Sequence, residues 1–238
     1  MPALLVGPAE RLAAAQAAVP AGEVHTARKA LKQLRALAAL VGAPKRDDRA
    51  LRDAGRLLAG ARDAEVLAGL LDVIGPSLDA STDDFEAARA ELARDVERTR
   101  AALDLDGTRR LLVDVAGRIG AWPSDPDLAK GFRRGYKDAR DRPADYHEWR
   151  KAVKRHWHHC EALGLEERAE RVHELSDLLG DDHDLHVLGE RLPTLAGMST
   201  VVAARQGALR EQSLALGAAL FEAKPSKATE ELLGSLDP

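Results

Sequence analysis

The sequence predicts an all-α protein, and three observations carry that reading. Apolar residues recur at alternating spacings of three and four, the period of one helix face. Helix formers (Ala, Leu, Arg, Glu) dominate and β-branched runs are almost absent. Proline and glycine gather between the periodic stretches, and no segment reads as a strand. The expected architecture is two homologous antiparallel helical bundles with pseudo-two-fold symmetry.

The elements follow in order. Met1 to Ala21 is Ala-rich but lacks a basic lead-in and is interrupted by Glu10-Arg11, so it reads as a helix and not a signal peptide. Val24, Ala27, Leu31, Leu34, Ala38 and Val41 form the seam of the next helix, which Gly42-Ala43-Pro44 ends. One further helix is expected up to Gly75-Pro76. Ser81-Thr82-Asp83-Asp84 reads as the N-cap region of a helix to about Leu103. Asp106-Gly107 is the expected junction between halves. Helices then run from Thr108 to Trp122, Asp125 to Arg140, Ala144 to Leu163, Leu165 to Arg191 and Met198 to Ala223. Pro123, Pro126, Pro143, Pro193 and Pro225 stand at or near their boundaries, where proline is tolerated.

The 238 residues suffice for one large or two small domains. No stretch approaches the roughly 20 apolar residues of a membrane span, and the single cysteine, Cys160, excludes an internal disulfide. A cytoplasmic location is expected on those grounds. The net charge is only −4, which argues against a generic nucleic-acid coat protein. Anion binding would have to come from local clustering.

Such clustering exists, and it is duplicated. His25-x-x-Arg28-Lys29-x-x-Lys32 recurs as His147-x-x-Arg150-Lys151-x-x-Lys154, at an offset of 147 − 25 = 122. Leu57-Leu58-x-x-x-Arg62-Asp63-x-x-Val66-Leu67 recurs as Leu178-Leu179-x-x-x-His183-Asp184-x-x-Val187-Leu188, at 178 − 57 = 121. Two blocks at nearly one offset indicate an internal repeat, with residues 5–104 as the first copy and 107–223 as the second. Positions i, i+3, i+4 and i+7 share a helix face, so each first block builds a basic stripe headed by histidine. Arg35 extends the first stripe, and Arg155 and His158 add to the second. Each stripe is centred roughly 140° from its apolar seam at 100° per residue. It would line a crevice only if another helix faced it. The competing reading is a pair of solvated helix faces.

Lys130-x-x-Arg133-Arg134-x-x-Lys137, with Arg140 beyond, is a third stripe of the same geometry. It would make a basic site richer in the second half; the alternative is an exposed face partly neutralised by Asp138 and Asp141. Asp181-Asp182-His183-Asp184 with His186 offers carboxylates and imidazoles of the kind that bind metals. The aligned Gly60-Ala61-Arg62-Asp63 is no ligand set, however, and Gly180 predicts a helix break with the acids capping the next turn. His156 and Cys160 fall on the seam and read as packed core residues. No Gly-rich phosphate loop, HExxH or GxSxG occurs. No catalytic residue, metal or cofactor is therefore expected.

The pattern from Val24 to Arg35, with the Leu-Leu-x-x-x-Arg-Asp-x-x-Val-Leu block, resembles the first half of a CHAD domain, the conserved-histidine α-helical domain. Phe132-Arg133-Arg134-Gly135, Tyr146-His147-Glu148-Trp149-Arg150-Lys151 and Leu178-Leu179-Gly180-Asp181-x-His183-Asp184 resemble its second set of motifs. The resemblance spans nearly the whole chain, residues 1–238, without a CYTH-type catalytic module beside it. It implies two pseudo-symmetric helical bundles whose basic residues line a central surface or pore that binds inorganic polyphosphate, on intracellular polyphosphate granules. His25, Arg28, Lys29, Lys32 and Arg35 would supply one wall. His147, Arg150, Lys151 and Lys154 would supply the other, with Arg133, Arg134 and Lys137 beside it. Gln33 departs from the pattern, where members often carry another basic residue.

The function expected is non-catalytic polyphosphate binding, with granule-associated proteins as further partners. Borrowing the single-strand slope of about −0.7 per contact, a site of ~6 contacts loses roughly 300-fold in affinity between about 50 and 200 mM salt. Histidine titrates near ~6.5 in general, so His25 and His147 are expected to strengthen binding as pH falls. Nucleic acid is the less expected ligand, because only 3% of residues are aromatic and single-strand binders use stacking platforms. A metal-assisted phosphohydrolase built on His183 is the enzymatic alternative.

Overall fold

The computed structural model describes residues 3–236, apart from the side chain of Arg62. The first two residues of the expected N-terminal helix, and Arg62 of the second repeat block, thus lie outside the described residues. Those described form eleven α-helices and one 3-10 turn, with no strand among them. The helices are α1 Pro8–Ala18, α2 Val24–Val41, α3 Lys45–Leu57, α4 Ala59–Ile74, α5 Thr82–Ala101 and α6 Leu105–Ile119. After these come α7 Leu128–Arg140, α8 Tyr146–Ala162, α9 Glu166–Arg191, α10 Met198–Leu220 and α11 Pro225–Gly234.

The signals that worked are local. Gly42 ends α2 in the left-handed conformation, φ 75°, where glycine has no Cβ to clash. Ser81 caps α5 by accepting from the Asp84 N–H.

Four expectations need correction. The helix expected up to Gly75-Pro76 is two helices, because the backbone turns at Leu58 (φ −102°, ψ 0°). Neither glycine nor proline marks that turn. Its cause is tertiary: α3 packs on α2 and α6, whereas α4 packs on α5 and α9. The break predicted at Gly180 does not occur, since α9 runs through it with Leu175, Leu179, Leu185 and Leu188 buried on either side. The junction expected at Asp106-Gly107 lies in the first turn of α6, where Asp104 accepts from the Gly107 N–H. Because α6 packs on α1 and α3, packing groups residues 105–119 with the first half. Finally, α11 lies beyond the expected last helix and packs on α7.

Three buried clusters hold the helices. The largest joins α1, α2, α3 and α6 and extends to Phe132, Cys160 and Leu163. A second is built on Tyr136, Trp149, Val153, Leu175 and Phe221, and a third joins Leu71, Ile74 and Leu92 to Leu185, Leu188 and Met198. The helices that carry the duplicated stripes, α2 and α8, pack directly on each other. Asp47, fully buried on α3, ties the first cluster to α6: Arg118 Nε donates to it at 2.7 Å and Trp122 Nε1 at 2.9 Å.

Candidate functional site

The α2–α8 contact supplies the facing helix that the stripes needed. Arg28 and Lys32 from α2 meet Arg150 and Lys154 from α8 closely enough to act on one another electrostatically. Helix α4 brings Asp63 to this cluster, and α9 brings Asp177, His183 and Asp184. The result is a four-cation cleft with acidic margins, assembled from both sequence repeats.

The electrostatics record the crowding. Burial, then the charges of Lys154, Arg28 and Arg150, pull Lys32 down to about 8. Lys32 nevertheless keeps an exposed side chain, so solutes can reach it. Lys154 is lowered by burial first and Arg150 second, partly offset by Asp177 and Asp184. Burial raises Asp184, and Asp63 adds to that, while Arg150, Lys154 and Lys32 oppose it. His183 is held below the ordinary imidazole range by burial, then by Arg150 and His147. Clustered cations that depress each other's proton affinity are short of negative charge, and an incoming anion would supply it.

The equivalent arginines are held differently. Arg28 is only 12% exposed, and its guanidinium donates to the Leu58 carbonyl and to Asp63, each at 2.9 Å. The Arg150 Nε is buried and has no partner. It lies 4.0 Å from where a Cβ on Gly180 would stand.

The remaining expected site residues fall outside this cleft or on its rim. His147 sits beside His183, ring centroids 5.5 Å apart. His25 lines a different concavity, of about 610 Å³, with Thr26, Glu65, Arg100 and Leu103, and none of the four cleft cations borders it. Lys29 lies near Glu161, whose carboxyl its charge helps to lower. Arg35 donates to Asp48 at 2.9 Å, Lys151 to Glu148 at 2.6 Å and Arg155 to Asp138 at 3.4 Å, so each has an acidic partner. Gln33 is buried.

The third stripe, on α7, does not join the cluster. Trp149, His156 and His159, which meet α7, lie roughly 150° around α8 from Arg150 and Lys154. The cations that shift Lys32 and Lys154 come from α2 and α8. Lys130, Arg133, Arg134, Lys137 and Arg140 are all exposed. Arg134 donates to the Ala39 carbonyl at 3.0 Å, and Lys137 pairs with Asp141 at 3.3 Å. The Phe132-Arg133-Arg134-Gly135 motif has a packing role through its other members. Phe132 is buried against the His156 ring, and a Cβ at Gly135 would stand 2.5 Å from His159 Nδ1.

The core readings of His156 and Cys160 match their places. Both are fully buried, and burial pushes the Cys160 thiol up to about 12, which removes its nucleophilic form. Among the described residues, no three His, Cys, Asp or Glu side chains are grouped to hold a metal ion. Sequence reasoning missed Asp63 and Asp184 as cleft residues and weighed His183 only as a metal ligand. The signal was present, since these positions align in the second repeat block.

No helix among the described residues is long and apolar enough to cross a membrane. A comparison with curated proteins gives no match. The crystal structure of the CHAD domain from the plant Ricinus communis is similar in fold, with a TM-score of 0.56 over 96% of this chain and 88% of that one, at 18% identity. The family model for the CHAD domain matches residues 9–193, which take in both stripes and both copies of the second block. The chain therefore belongs to the CHAD domain family.

Proposed function

We propose that the protein binds inorganic polyphosphate in the α2–α8 cleft without acting on it, and that this binding places it on polyphosphate granules. The supporting observation is the convergence of Arg28, Lys32, Arg150 and Lys154 from two repeats into one cluster. Polyphosphate is a thin, flexible chain of repeated charge. Several spaced cations suit it better than one tight pocket, and arginine can grip phosphate oxygens two at a time. Each exposed contact is weak, about 1 kcal/mol or less, so affinity comes from their number and from counterion release. The cleft holds four cations rather than the six assumed from sequence. The expected loss between about 50 and 200 mM salt falls accordingly, to roughly 50-fold.

The test is binding of polyphosphate by wild type and by Arg28→Glu/Lys32→Glu/Arg150→Glu/Lys154→Glu, with helicity and melting compared. A folded variant that still binds removes the site. Unchanged polyphosphate chain length after incubation with Mg²⁺ or Mn²⁺ is expected, and shortening would replace binding with hydrolysis. Excess polyphosphate should displace RNA more readily than the reverse.

A further inference from the structure

Within the cleft reading, on which this inference rests, the two equivalent arginines do not do the same work. We infer that Arg150 is the phosphate-gripping arginine, while Arg28 is latched to the protein by Asp63 and the Leu58 carbonyl and serves mainly as a strut. The internal repeat predicts equal roles. The backbone makes them unequal.

The origin is the turn at Leu58. Where α3 ends and α4 begins, the turn brings the Leu58 carbonyl within reach of Arg28, whose Nη1 donates to it at 2.9 Å. Asp63, one turn into α4, accepts from Arg28 Nη2 at 2.9 Å. Two of the three guanidinium nitrogens are thereby engaged. The position that aligns with Leu58 is Leu179, in the middle of the unbroken α9. Its carbonyl belongs to the helical ladder. Asp184 aligns with Asp63, yet it forms no ion pair with Arg150, whose charge acts on it only from nearby. The second half therefore lacks both halves of the latch.

Arg150 lies instead against α9 at Gly180. Glycine offers no side chain there to bond the Arg150 Nε. That nitrogen is buried with its hydrogen bond unmade. An unsatisfied buried donor on a charged group is costly, so the resting position of Arg150 is poorly held. Swinging outward would present Nε and one Nη together to two phosphate oxygens, the bidentate arrangement that guanidinium favours. Arg28 would have to surrender existing bonds to do the same.

The experiment is titration of defined-length inorganic polyphosphate into wild type, Arg150→Gln, Arg28→Gln and Asp63→Asn, each at several salt concentrations. Arg150→Gln is expected to weaken binding at least about tenfold, the scale of one charge-assisted hydrogen bond. It should also flatten the log–log salt slope by about 0.7. Arg28→Gln should weaken binding no more than about threefold, flatten the slope by less than Arg150→Gln does and lower the melting temperature, because what it removes is mainly internal hydrogen bonding. Asp63→Asn, which loosens the latch without removing a cation, should tighten binding by about two- to fivefold. It also tests the idea if Arg28→Gln does not fold. Equal losses at Arg28 and Arg150, or weaker binding by Asp63→Asn, overturn the division of labour and leave polyphosphate binding standing. No binding by wild type overturns both.

Discussion

Affinity for polyphosphate is expected to fall as pH rises from about 7 to about 9, with Lys32 the main cause. In the protein alone Lys32 sits at about 8, against an ordinary value of 10.5, through burial and the charges of Lys154, Arg28 and Arg150. A bound polyanion cancels the second cause and favours the proton. With a value of about 8 the lysine is roughly 90% charged at about pH 7 and roughly 10% charged at about pH 9. If the polyanion restores the ordinary value, bound Lys32 stays charged at both, and linkage makes the affinity ratio about tenfold. Solvent reaches Lys32, and screening makes this an upper figure. Lys154 is shifted in the same direction, so its contribution adds. Calorimetry in buffers of different ionisation enthalpy should register proton uptake approaching about one per complex near pH 9. Lys32→Arg, which keeps the charge at both pH values, should remove most of the fall. An affinity that does not change over this range, or binding without proton uptake, refutes the reasoning. The sign for folding is opposite. Between the folded value of about 8 and the unfolded 10.5 the unfolded chain holds more protons, so stability should rise with pH across that window.

Three predictions concern the scaffold. Asp47→Ala removes a fully buried carboxylate and strands Arg118 and Trp122; it should cost about 3 kcal/mol in a urea titration, and a cost below about 1 kcal/mol would show that α3 and α6 are held otherwise. Gly131→Ala would drive a Cβ into the Leu40 backbone carbonyl, so the α2 or α7 backbone would have to shift; it should cost more than about 3 kcal/mol or abolish folding, and a variant melting like wild type would contradict the close α2–α7 approach. His159 is buried and sits at about 3, its Nε2–H donating to the Ala36 carbonyl at 3.0 Å. Its contribution is complete above the unfolded value near 6.5 and is lost as pH falls toward 3, amounting to about 2.7 kcal/mol by about pH 4.5. Urea midpoints at about pH 7 and 4.5 should show the loss, and His159→Gln should shrink it.

What was legible in the sequence was whatever depends on neighbours within a few turns. The seam from Val24 to Val41, the cap at Ser81, the end at Gly42 and the core places of His156 and Cys160 all follow from helical period and local backbone chemistry. The repeat also paired the right helices, since α2 and α8 do meet. What stayed hidden depends on which helix lies across from which. The α7 stripe has the same spacing as the other two, and spacing alone says nothing of the side of α8 on which α7 packs. Asp47 looks like an ordinary first-turn acid of α3 until Arg118 and Trp122, more than 70 residues away, close over it.

The turn at Leu58 shows how far such a hidden feature can reach. No breaker residue stands at it, and Gly180, which aligns with the next residue, Ala59, and looks like a breaker, lies inside a continuous helix. Both departures trace to the same requirement. In the first half, separate helices must reach separate partners, α6 for one and α5 for the other, so the chain turns at Leu58 and its carbonyl meets Arg28. In the second half α9 serves alone, packing on α8 at one side and α10 at another, and Arg150 approaches it at Gly180. Duplication supplied two equal stripes, and the unequal helices opposite them decide what each arginine has left to offer. A cation matters to a polyanion only through the donors its own protein has not already engaged. By that measure the four cleft residues differ: Arg28 has two of its nitrogens occupied, whereas Lys32, Lys154 and Arg150 have no hydrogen-bonded acid among the described residues. Counting Lys and Arg along the stripes therefore overstates the site, and counting unengaged donors around the cleft describes it.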